Sequence, residues 1–491
     1  MEATEGEDVE GYREQHAAFV SHSNGTSSLE ILQVGLPIHS SLLLLTATAL
    51  WRGTTFTSPL GAVVEVVLTC LPPLLSLTVL SDTPSLLSLP PALLGGAVLL
   101  LAARGRSRLA PAPPTRAPTS RVAYITNYRA SMLLITTIAI LAVDFPVFPR
   151  RLAKTATFGQ GLMDLGTGSY VFSNGLVSGE ARGGAGGWAA SLLPAAPLVV
   201  LGGLRLAAVT ASGYHTVVGE YGVHWNFFLS LAAVRLLAAA VPAAVYREPR
   251  RCWVAALLVA VGWEAVLAGG AQDWLLGEAP RTGLIQANRE GLASCLGLTA
   301  LYLAGVAWGA DLLALAASPA ALATAAGLLV VWSGLMWASL AYSSTILPPA
   351  SRRLANYNFV TWTVAYNLTL LAGFALIDLA VVWVAELQEG RRAAKAKAKG
   401  GKTKVRAQSL LPSENTPHPA LYRAPTIYRA IAANSLPFFL TANLATGAVN
   451  LSVATITTAT TPALAILALY LALLSLGALV AWHKGITLKF W

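Results

Sequence analysis

Apolar residues follow one another along this chain in runs of about twenty, separated by short polar segments. A run of that length forms an α-helix that crosses a hydrocarbon core of ~30 Å. Lipid offers the backbone no hydrogen-bond partners, so the runs predict helices, which satisfy their own. The pattern predicts an all-α, polytopic integral membrane protein with about 13 transmembrane helices. The predicted spans are 36–52, 58–80, 84–103, 123–143, 161–178, 191–211, 224–246, 252–269, 292–310, 320–341, 358–386, 430–452 and 462–483.

Composition supports this class. Of the 491 residues, 55% are hydrophobic and only 11% are charged, whereas soluble proteins carry about 25% charged residues. The formal net charge is +10, but the bases concentrate in a few loops. That distribution indicates membrane topology rather than nucleic-acid binding. The three cysteines all lie in apolar runs, which predicts neither a disulfide nor a metal site.

The basic residues also predict an orientation. With the N-terminus in the lumen, roughly two-thirds of the bases fall in cytosolic loops, as the positive-inside rule requires. The C-terminus is then cytosolic. We predict a lumenal N-terminal tail over residues 1–35 and a single transmembrane domain over 36–491. Its cytosolic loop at 387–429 is basic and Ala/Lys-rich, so we expect it to be disordered.

The span 123–143 ends in a segment of different character. From Asp144 to Lys154 the chain holds one acid, two prolines and three bases. Pro146 and Pro149 cannot continue a helix, so the helix should end near residue 143. Irregular backbone at membrane depth is tolerated only inside protein or beside water, and ionisable groups there are functional candidates. The alternative is that the bases only snorkel to the interface.

Other loops assigned to the lumenal face are also polar and aromatic. They contain His224, Trp225, Asn226, Asn288, Glu290, Arg353 and Asn356. Aromatic residues at such positions also serve as interfacial anchors, and His224 is either a general base or a cap on a span. Arg129 and Asp164 lie in the spans that flank the break. They are either substrate contacts or members of a structural ion pair.

Several sequence blocks are specific enough to compare with a known family. Those near the break are Tyr128-Arg129, Leu141-Ala-Val-Asp144-Phe145, Phe148-Pro149-Arg150-Arg151 with Lys154, and Leu162-Met-Asp164-Leu-Gly-Thr-Gly168-Ser169. Later ones are Gly222-Val-His224-Trp225-Asn226, Asn288-Arg289-Glu290-Gly291, and Ser351-Arg352-Arg353 with Asn356. Together they resemble the inositol acyltransferases of GPI-anchor synthesis, the PIG-W family, whose fungal members are called GPI-anchored wall transfer proteins. Ala156 departs from the family pattern, in which an acidic residue is expected.

The resemblance implies a multi-pass enzyme of the endoplasmic reticulum membrane. Such an enzyme moves a fatty acyl group, usually palmitoyl, from acyl-CoA to the inositol hydroxyl of glucosaminyl-phosphatidylinositol. The expected partners are therefore acyl-CoA as co-substrate, the acceptor lipid and the surrounding membrane lipid, with no separate cofactor and no nucleic acid.

Esterifying a hydroxyl with a thioester needs a base, a group that meets charge on the thioester oxygen, and exclusion of water. Asp144 is the candidate base. Lys154 would stabilise the oxyanion, protonate the leaving thiolate or accept the acyl group, and the sequence leaves all three open. The Pro146/Pro149 turn could fold Lys154 back toward Asp144, which predicts a mutual pair. The candidate substrate-binding residues are Arg129, Arg150, Arg151, Asp164, Ser169, His224, Trp225, Asn226, Asn288, Glu290, Arg353 and Asn356.

Two other functional classes remain open from the residues alone. A lipid transporter or flippase would also carry intramembrane charges and broken helices, although the chain has no convincing internal repeat. A non-catalytic scaffold subunit is the other alternative. The chain has no Gly-x-Ser-x-Gly elbow, phosphate loop or metal-ligand spacing, so covalent serine catalysis and nucleotide hydrolysis are not supported. The donor is cytosolic while the candidate site faces the lumen, so the thioester threads through the bundle or the site lies deeper.

Overall fold

The computed structural model describes eleven stretches of the chain. They are residues 11–12, 14–16, 18–20, 23–52, 58–104, 122–184, 188–212, 218–278, 280–315, 318–398 and 424–488. Every regular element in these stretches is helical, and Ser23 and Thr155 form an isolated bridge. The predicted all-α class is therefore confirmed.

Eighteen α-helices follow one another along the described residues. They are α1 (Ser28–Arg52), α2 (Pro59–Ser76), α3 (Ser85–Ala103), α4 (Ala123–Ala142), α5 (Leu162–Leu176), α6 (Trp188–Ser212), α7 (Val218–Tyr221), α8 (Phe227–Ala240), α9 (Ala243–Tyr246), α10 (Pro249–Val266), α11 (Gln272–Leu276), α12 (Gly283–Ala287), α13 (Arg289–Ala314), α14 (Pro319–Ser343), α15 (Tyr357–Ala398), α16 (Thr426–Ala433), α17 (Ser435–Ser452) and α18 (Thr460–His483).

Ten helical segments in the described residues are long and apolar enough to cross a membrane. This confirms a polytopic protein but falls short of the predicted number of spans. The predicted span 161–178 is the 15-residue helix α5, and 224–246 contains the 14-residue helix α8, after which Pro242 interrupts the chain. The predicted span 430–452 is divided into α16 and α17 at Asn434. The orientation stays a prediction.

Two predicted boundaries differ from the structure. Helix α1 begins at Ser28, eight residues before the expected span, because Ser27 Oγ accepts the Glu30 N–H at 3.2 Å and caps the helix. Helix α15 continues to Ala398 and α16 begins at Thr426, so the expected disordered loop at 387–429 was placed too widely at both ends. Residues 399–423 of that loop lie outside the described residues.

Helices α4 and α13 form the centre of the bundle, since 83% of the apolar window of each is buried inside the protein. Helices α3 and α6 lie at the periphery, with 22% and 17% buried, so most of their apolar side chains face the surroundings. The largest fully buried side chains include Tyr128, Tyr302 and Trp362. The segment that joins α4 to α5 therefore emerges from the most enclosed part of the molecule.

Glycines allow α5 and α13 to touch backbone to backbone. A Cβ at Gly175 would collide with the carbonyl of Tyr302, and a Cβ at Gly305 would collide with the carbonyl of Phe172. Small residues are the usual means by which membrane helices approach this closely. The crossing fixes α5, which begins near Asp164, against α13, which begins at Arg289.

We predict that Gly305→Ala lowers the free energy of unfolding by about 1–3 kcal/mol, because the added methyl group forces two backbones apart. Thermal unfolding of the purified protein would measure this. Gly334→Ala in α14 is the matched control, since nothing lies within 4 Å of its added Cβ. Equal melting temperatures for the two variants would contradict the prediction.

Candidate functional site

Residues 143–161 form a packed loop between α4 and α5. Helix α4 ends at Ala142, as predicted from the prolines, and a 3₁₀ turn follows at Arg150–Leu152. Phe145, Phe148 and Leu152 are completely buried. The apolar side chains of the loop therefore pack inside the protein, whereas Pro146 and Ala156 are exposed.

Arg150 stabilises this loop from within. Its guanidinium Nη2 donates to the carbonyls of Phe148 at 2.9 Å and Phe145 at 3.2 Å. It also lies 4.1 Å from the ring centroid of Phe19. Burial lowers the pKa of Arg150 to about 10, although Asp144 opposes that change. We expected Arg150 to bind substrate, but its donors are directed at backbone carbonyls, so we assign it a structural role.

Arg151 also has protein partners. Its Nε donates to Glu30 Oε1 at 2.6 Å, and its Nη2 pairs with Asp82 in the turn between α2 and α3. The hydrogen bond to Glu30 raises the pKa of Arg151 above its ordinary value. These pairs tie the loop to α1 and to the α2–α3 turn. The expected contact of Arg151 with substrate stays a prediction, and its charged partners in this structure are both acids.

Asp144 lies buried at the start of the loop. His16 Nε2 is 3.1 Å from its Oδ1, and Asn450 Nδ2 donates to its Oδ2 at 2.9 Å. Neither neighbour was predicted from the sequence. His16 lies in the segment assigned to a separate tail, although Tyr12 Oη and Thr455 Oγ1 are also 3.4 Å apart. Asn450 is one of three asparagines in the predicted span 430–452, and nothing in the sequence distinguishes it from Asn434 and Asn443.

Lys154 begins a chain of alternating charges. Lys154 Nζ lies 2.7 Å from Glu220 Oε1 on α7, and that oxygen is 3.2 Å from Arg352 Nη2. Arg352 Nε donates to Asp164 Oδ1 at 2.9 Å. The charges of Lys154, Glu220, Arg352 and Asp164 thus alternate in sign, and each neutralises its neighbour. Neither Glu220 nor Arg352 was among the predicted site residues.

Asp164, the last member of this series of charges, also binds backbone groups. Its Oδ2 accepts the backbone N–H groups of Thr155 at 3.0 Å and Gly161 at 3.1 Å. One carboxylate therefore caps α5, anchors the loop beside Lys154 and pairs with Arg352. Asp164 was expected to contact substrate or to form an ion pair between spans. The structure assigns it a pair, with Arg352 as the partner.

The charges of this chain reinforce one another. Burial alone would raise the pKa of Glu220, but Lys154 and Arg352 outweigh it and lower that pKa to about 2. Burial would lower the pKa of Arg352, but Glu220 and Asp164 outweigh burial and raise it above its ordinary value. Both groups are therefore charged at neutral pH.

The expected mutual pair of Asp144 and Lys154 is wrong for this conformation. Among the described residues, the ion pairs join Asp144 to His16 and Lys154 to Glu220. The two ends of the loop are held by different elements. Asp144 is bound by Asn450 on α17, whereas Thr155 is bound by Asp164 on α5. The Lys154 side chain is 42% exposed, whereas that of Asp144 is only 7% exposed.

A second charged cluster surrounds Glu290 at the start of α13. Arg281 Nη2 and Nη1 contact its two carboxylate oxygens at 2.5 and 3.0 Å. Arg353 Nη2 is 3.6 Å and Arg289 Nε 3.7 Å from Glu290 Oε1. Glu290 and Arg353 were predicted site residues and do come together. Arg281 was missed, because it lies in a short connection with no surrounding pattern.

Two of the predicted asparagines are helix caps. Asn226 Oδ1 accepts the Phe228 N–H at 3.1 Å at the start of α8. Asn356 Oδ1 accepts the Phe359 N–H at 3.1 Å at the start of α15. Their prediction as substrate ligands is not supported by these contacts, which stabilise helix ends.

Asn288, His224 and Trp225 hold one loop against α13. Asn288 Oδ1 accepts the backbone N–H of His224 at 2.8 Å, and Trp225 Nε1 donates to Ser230 Oγ at 2.9 Å. Gly222 has φ of 118°, and a Cβ there would collide with Asn288. The His224 side chain is exposed, so it is the member of this group that remains accessible to a ligand.

Arg129 and Ser169 lie deeper in the bundle, away from the loop. Arg129 Nε donates to Ser173 Oγ at 3.1 Å, and both residues line a small cavity with Tyr170. Ser169 is buried, and its hydroxyl has no hydrogen-bond partner among the described residues. These two predicted residues are therefore separate from the charged clusters.

The fold and this arrangement define a polytopic membrane protein with a charged loop site at one end of its helical bundle. The family model described as GWT1 matches residues 12–481, and the chain belongs to that family. It is 35% identical to GPI-anchored wall transfer protein 1 of Gibberella zeae, over 98% of this chain and 99% of that protein. It is 32% identical to the glucosaminyl-phosphatidylinositol-acyltransferase PIGW of Bos taurus, over 98% and 99%. Identity to the PIGW protein of Homo sapiens is 33%, over 75% of each chain. The family expected from the sequence blocks is thereby confirmed.

We predict that Glu220→Gln lowers the free energy of unfolding at pH 7 by about 3 kcal/mol, because it leaves buried Arg352 under-compensated. The folded pKa lies below the ordinary value of about 4.3, so the ion pair stabilises the protein above that pH. Its contribution is lost as the pH falls toward 2. Thermal unfolding at pH 7 and pH 3 should show the difference between wild type and variant shrinking at pH 3.

Glu248→Gln is the matched control for this experiment. Glu248 pairs with Arg251 at 3.0 Å, but both side chains are more than half exposed, and such pairs contribute little. A Glu220→Gln protein as stable as Glu248→Gln at pH 7 would contradict the assigned role of the buried chain.

Proposed function

We propose that this protein is an acyltransferase that esterifies the inositol hydroxyl of glucosaminyl-phosphatidylinositol. In this proposal acyl-CoA, with palmitoyl as the usual acyl group, is the donor, and the endoplasmic reticulum membrane is the location. The observation that carries the proposal is near-complete coverage: a relative named as an acyltransferase for this lipid aligns with 98% of the chain and 99% of its own length.

The site offers the two kinds of group that such a transfer needs. The hydroxyl oxygen of inositol attacks the thioester carbon, its proton leaves to a base, and the carbon–sulfur bond breaks to release a thiol. Asp144, as a buried carboxylate, would take the proton. His16 and Asn450 would fix its orientation, since each contacts one carboxylate oxygen.

Lys154 would act as a cation. Glu220 Oε1 lies 2.7 Å from its Nζ, so the two side chains form an ion pair. An ammonium has no lone pair with which to accept an acyl group. It can stabilise the developing oxyanion and protonate the departing thiolate. Among the three roles open from the sequence, the ion pair therefore favours these two over covalent catalysis.

The separate partners of Asp144 and Lys154 suit a two-substrate reaction. A direct pair between them would satisfy each group with the other. With Asp144 held by Asn450 and Lys154 held by Glu220, the hydroxyl would lie near the first and the thioester oxygen near the second. The enclosed loop would limit the access of water, which competes for the acyl group.

We predict that Asp144→Asn and Lys154→Ala each lower acyl transfer by about 100-fold or more, because each removes a group that acts on the reacting atoms. The measurement is transfer of a labelled acyl group from palmitoyl-CoA to glucosaminyl-phosphatidylinositol by purified protein. Lys154→Arg should retain more activity than Lys154→Ala, since it keeps the positive charge.

Asp273→Asn is the matched control, because Asp273 is an exposed acid on α11. All variants should show the wild-type elution profile. Near-wild-type transfer by Asp144→Asn would remove Asp144 as the base. Lipid movement between leaflets by the wild type, without consumption of the thioester, would favour a transporter instead.

A further inference from the structure

The cluster around Glu290 contains more positive than negative charge. Three guanidinium groups, those of Arg281, Arg289 and Arg353, approach a single carboxylate. The adjacent residue Arg352 adds a fourth positive charge, but Asp164 and Glu220 neutralise it. Arg281 contacts both carboxylate oxygens of Glu290, at 2.5 and 3.0 Å, so Arg353 meets the same carboxylate only at 3.6 Å.

The excess charge is concentrated on Arg353. Burial lowers the pKa of Arg353, and repulsion from Arg352, Arg281 and Arg289 adds to that effect against the attraction of Glu290. Its Nε is buried and has no hydrogen-bond partner among the described residues. Buried donors are normally satisfied, so this nitrogen can still take an acceptor.

The cations are accessible whereas their shared anion is not. The side chains of Arg281 and Arg353 are 28% and 18% exposed, but that of Glu290 is 1% exposed. Arg289 is also buried and donates to the carbonyl of Gly277, so it lies on the interior side of the cluster. Glu290 thus holds two guanidinium groups in position and leaves part of each facing outward.

The cluster lies beside the candidate catalytic lysine. Arg353 Nη1 donates to the Ala156 carbonyl and to Thr157 Oγ1, both at 3.3 Å, and these residues follow Lys154 closely in the chain. A Cβ at Gly219 would lie 3.1 Å from Arg353 Nη2, and the next residue is Glu220, the partner of Lys154. A ligand bound to Arg353 therefore lies close to Lys154, because Ala156 is two residues after Lys154 and Gly219 directly precedes Glu220.

We propose that Arg281 and Arg353 bind the phosphodiester of the acceptor lipid. The proposal rests on the proposed function, which supplies a phosphoinositide as the acceptor. Guanidinium groups bind phosphate oxygens through paired, charge-assisted hydrogen bonds. With its phosphate on this cluster, the lipid directs its inositol ring toward Lys154. Arg150 and Arg151, which the sequence favoured for this task, are occupied by carbonyls and acids.

The test compares two soluble probes on the purified full-length protein. One is short-chain glucosaminyl-phosphatidylinositol, and the other is glucosaminyl-inositol, which lacks the phosphate. Each charge-assisted contact contributes about tenfold in affinity, so the wild type should prefer the phosphorylated probe by about 100-fold. Arg281→Gln and Arg353→Gln should each reduce that ratio to about tenfold. Calorimetry measures both dissociation constants, and a ratio within one variant is insensitive to a partly inactive preparation.

Two further variants sharpen the result. Arg281→Lys keeps the charge but loses the forked geometry, so its ratio should fall between those of wild type and Arg281→Gln. Arg251→Gln removes an exposed arginine that pairs with Glu248 away from the cluster, and it should keep the wild-type ratio. Equal ratios in wild type, Arg281→Gln and Arg353→Gln would overturn the proposal.

A competition arm separates the acceptor from the donor, because coenzyme A also carries phosphates. Free coenzyme A should not displace the phosphorylated probe, and displacement that depends on Arg281 would assign the cluster to the donor and overturn the proposal. The failures of the two proposals also differ. A phosphate preference lost in the arginine variants, without acyl transfer by the wild type, would sink the proposed function and keep this site. Acyl transfer by the wild type, together with an unchanged phosphate preference in the arginine variants, would support the proposed function and overturn this site.

Discussion

The buried pair of Asp164 and Arg352 is the interaction on which the site depends. The two side chains are 1% and 4% exposed and meet at 2.9 Å. Removing a charge from water costs several kcal/mol, and removing one partner of such a pair leaves the other uncompensated. The pair persists because Asp164 also accepts two backbone N–H groups. It joins the start of α5 to the connection before α15, which lies nearly 190 residues away in the chain.

The loop that carries Lys154 is fixed beside this pair by further hydrogen bonds. The Ser351 hydroxyl donates to the Thr157 carbonyl at 2.6 Å, and the Gly159 N–H donates to the Ala350 carbonyl at 2.9 Å. Residues 155–161 are therefore fixed along the connection that contains Arg352. A group that must meet charge in a transition state gains from being held in advance. Here backbone contacts position the loop, and the side chain of Lys154 is held separately by Glu220 at 2.7 Å.

The sequence was informative about elements and much less so about partners. The apolar runs predicted the helices, and the prolines predicted the end of α4. The tandem arginines show where prediction stops. Arg150-Arg151 and Arg352-Arg353 are the same dipeptide beside a span, yet one arginine binds carbonyls, one binds two acids, one is buried in a pair and one is only partly matched. The carbonyls of Phe145 and Phe148 that bind Arg150 lie within five positions of it, whereas the acid that binds Arg352 at 2.9 Å is 188 positions away. Other signals were present but undervalued: Ser27 and Glu30 have the spacing of a capping box, and Asn226 and Asn356 directly precede apolar helices.

The arginines also explain how a face that opposes the positive-inside trend can hold so many bases. On the predicted orientation these residues lie toward the lumen, where an excess of Lys and Arg is unusual. Arg150 and Arg151 are satisfied by carbonyls and acids, and Arg352 by two acids. At Glu290, by contrast, one buried carboxylate faces the guanidinium groups of both Arg281 and Arg353. On our proposal, the phosphate of the acceptor lipid supplies further negative charge there. The same proposal accounts for the burial of Glu290 and the partial exposure of Arg281 and Arg353: the carboxylate keeps the cations together, and their exposed parts would contact the phosphate.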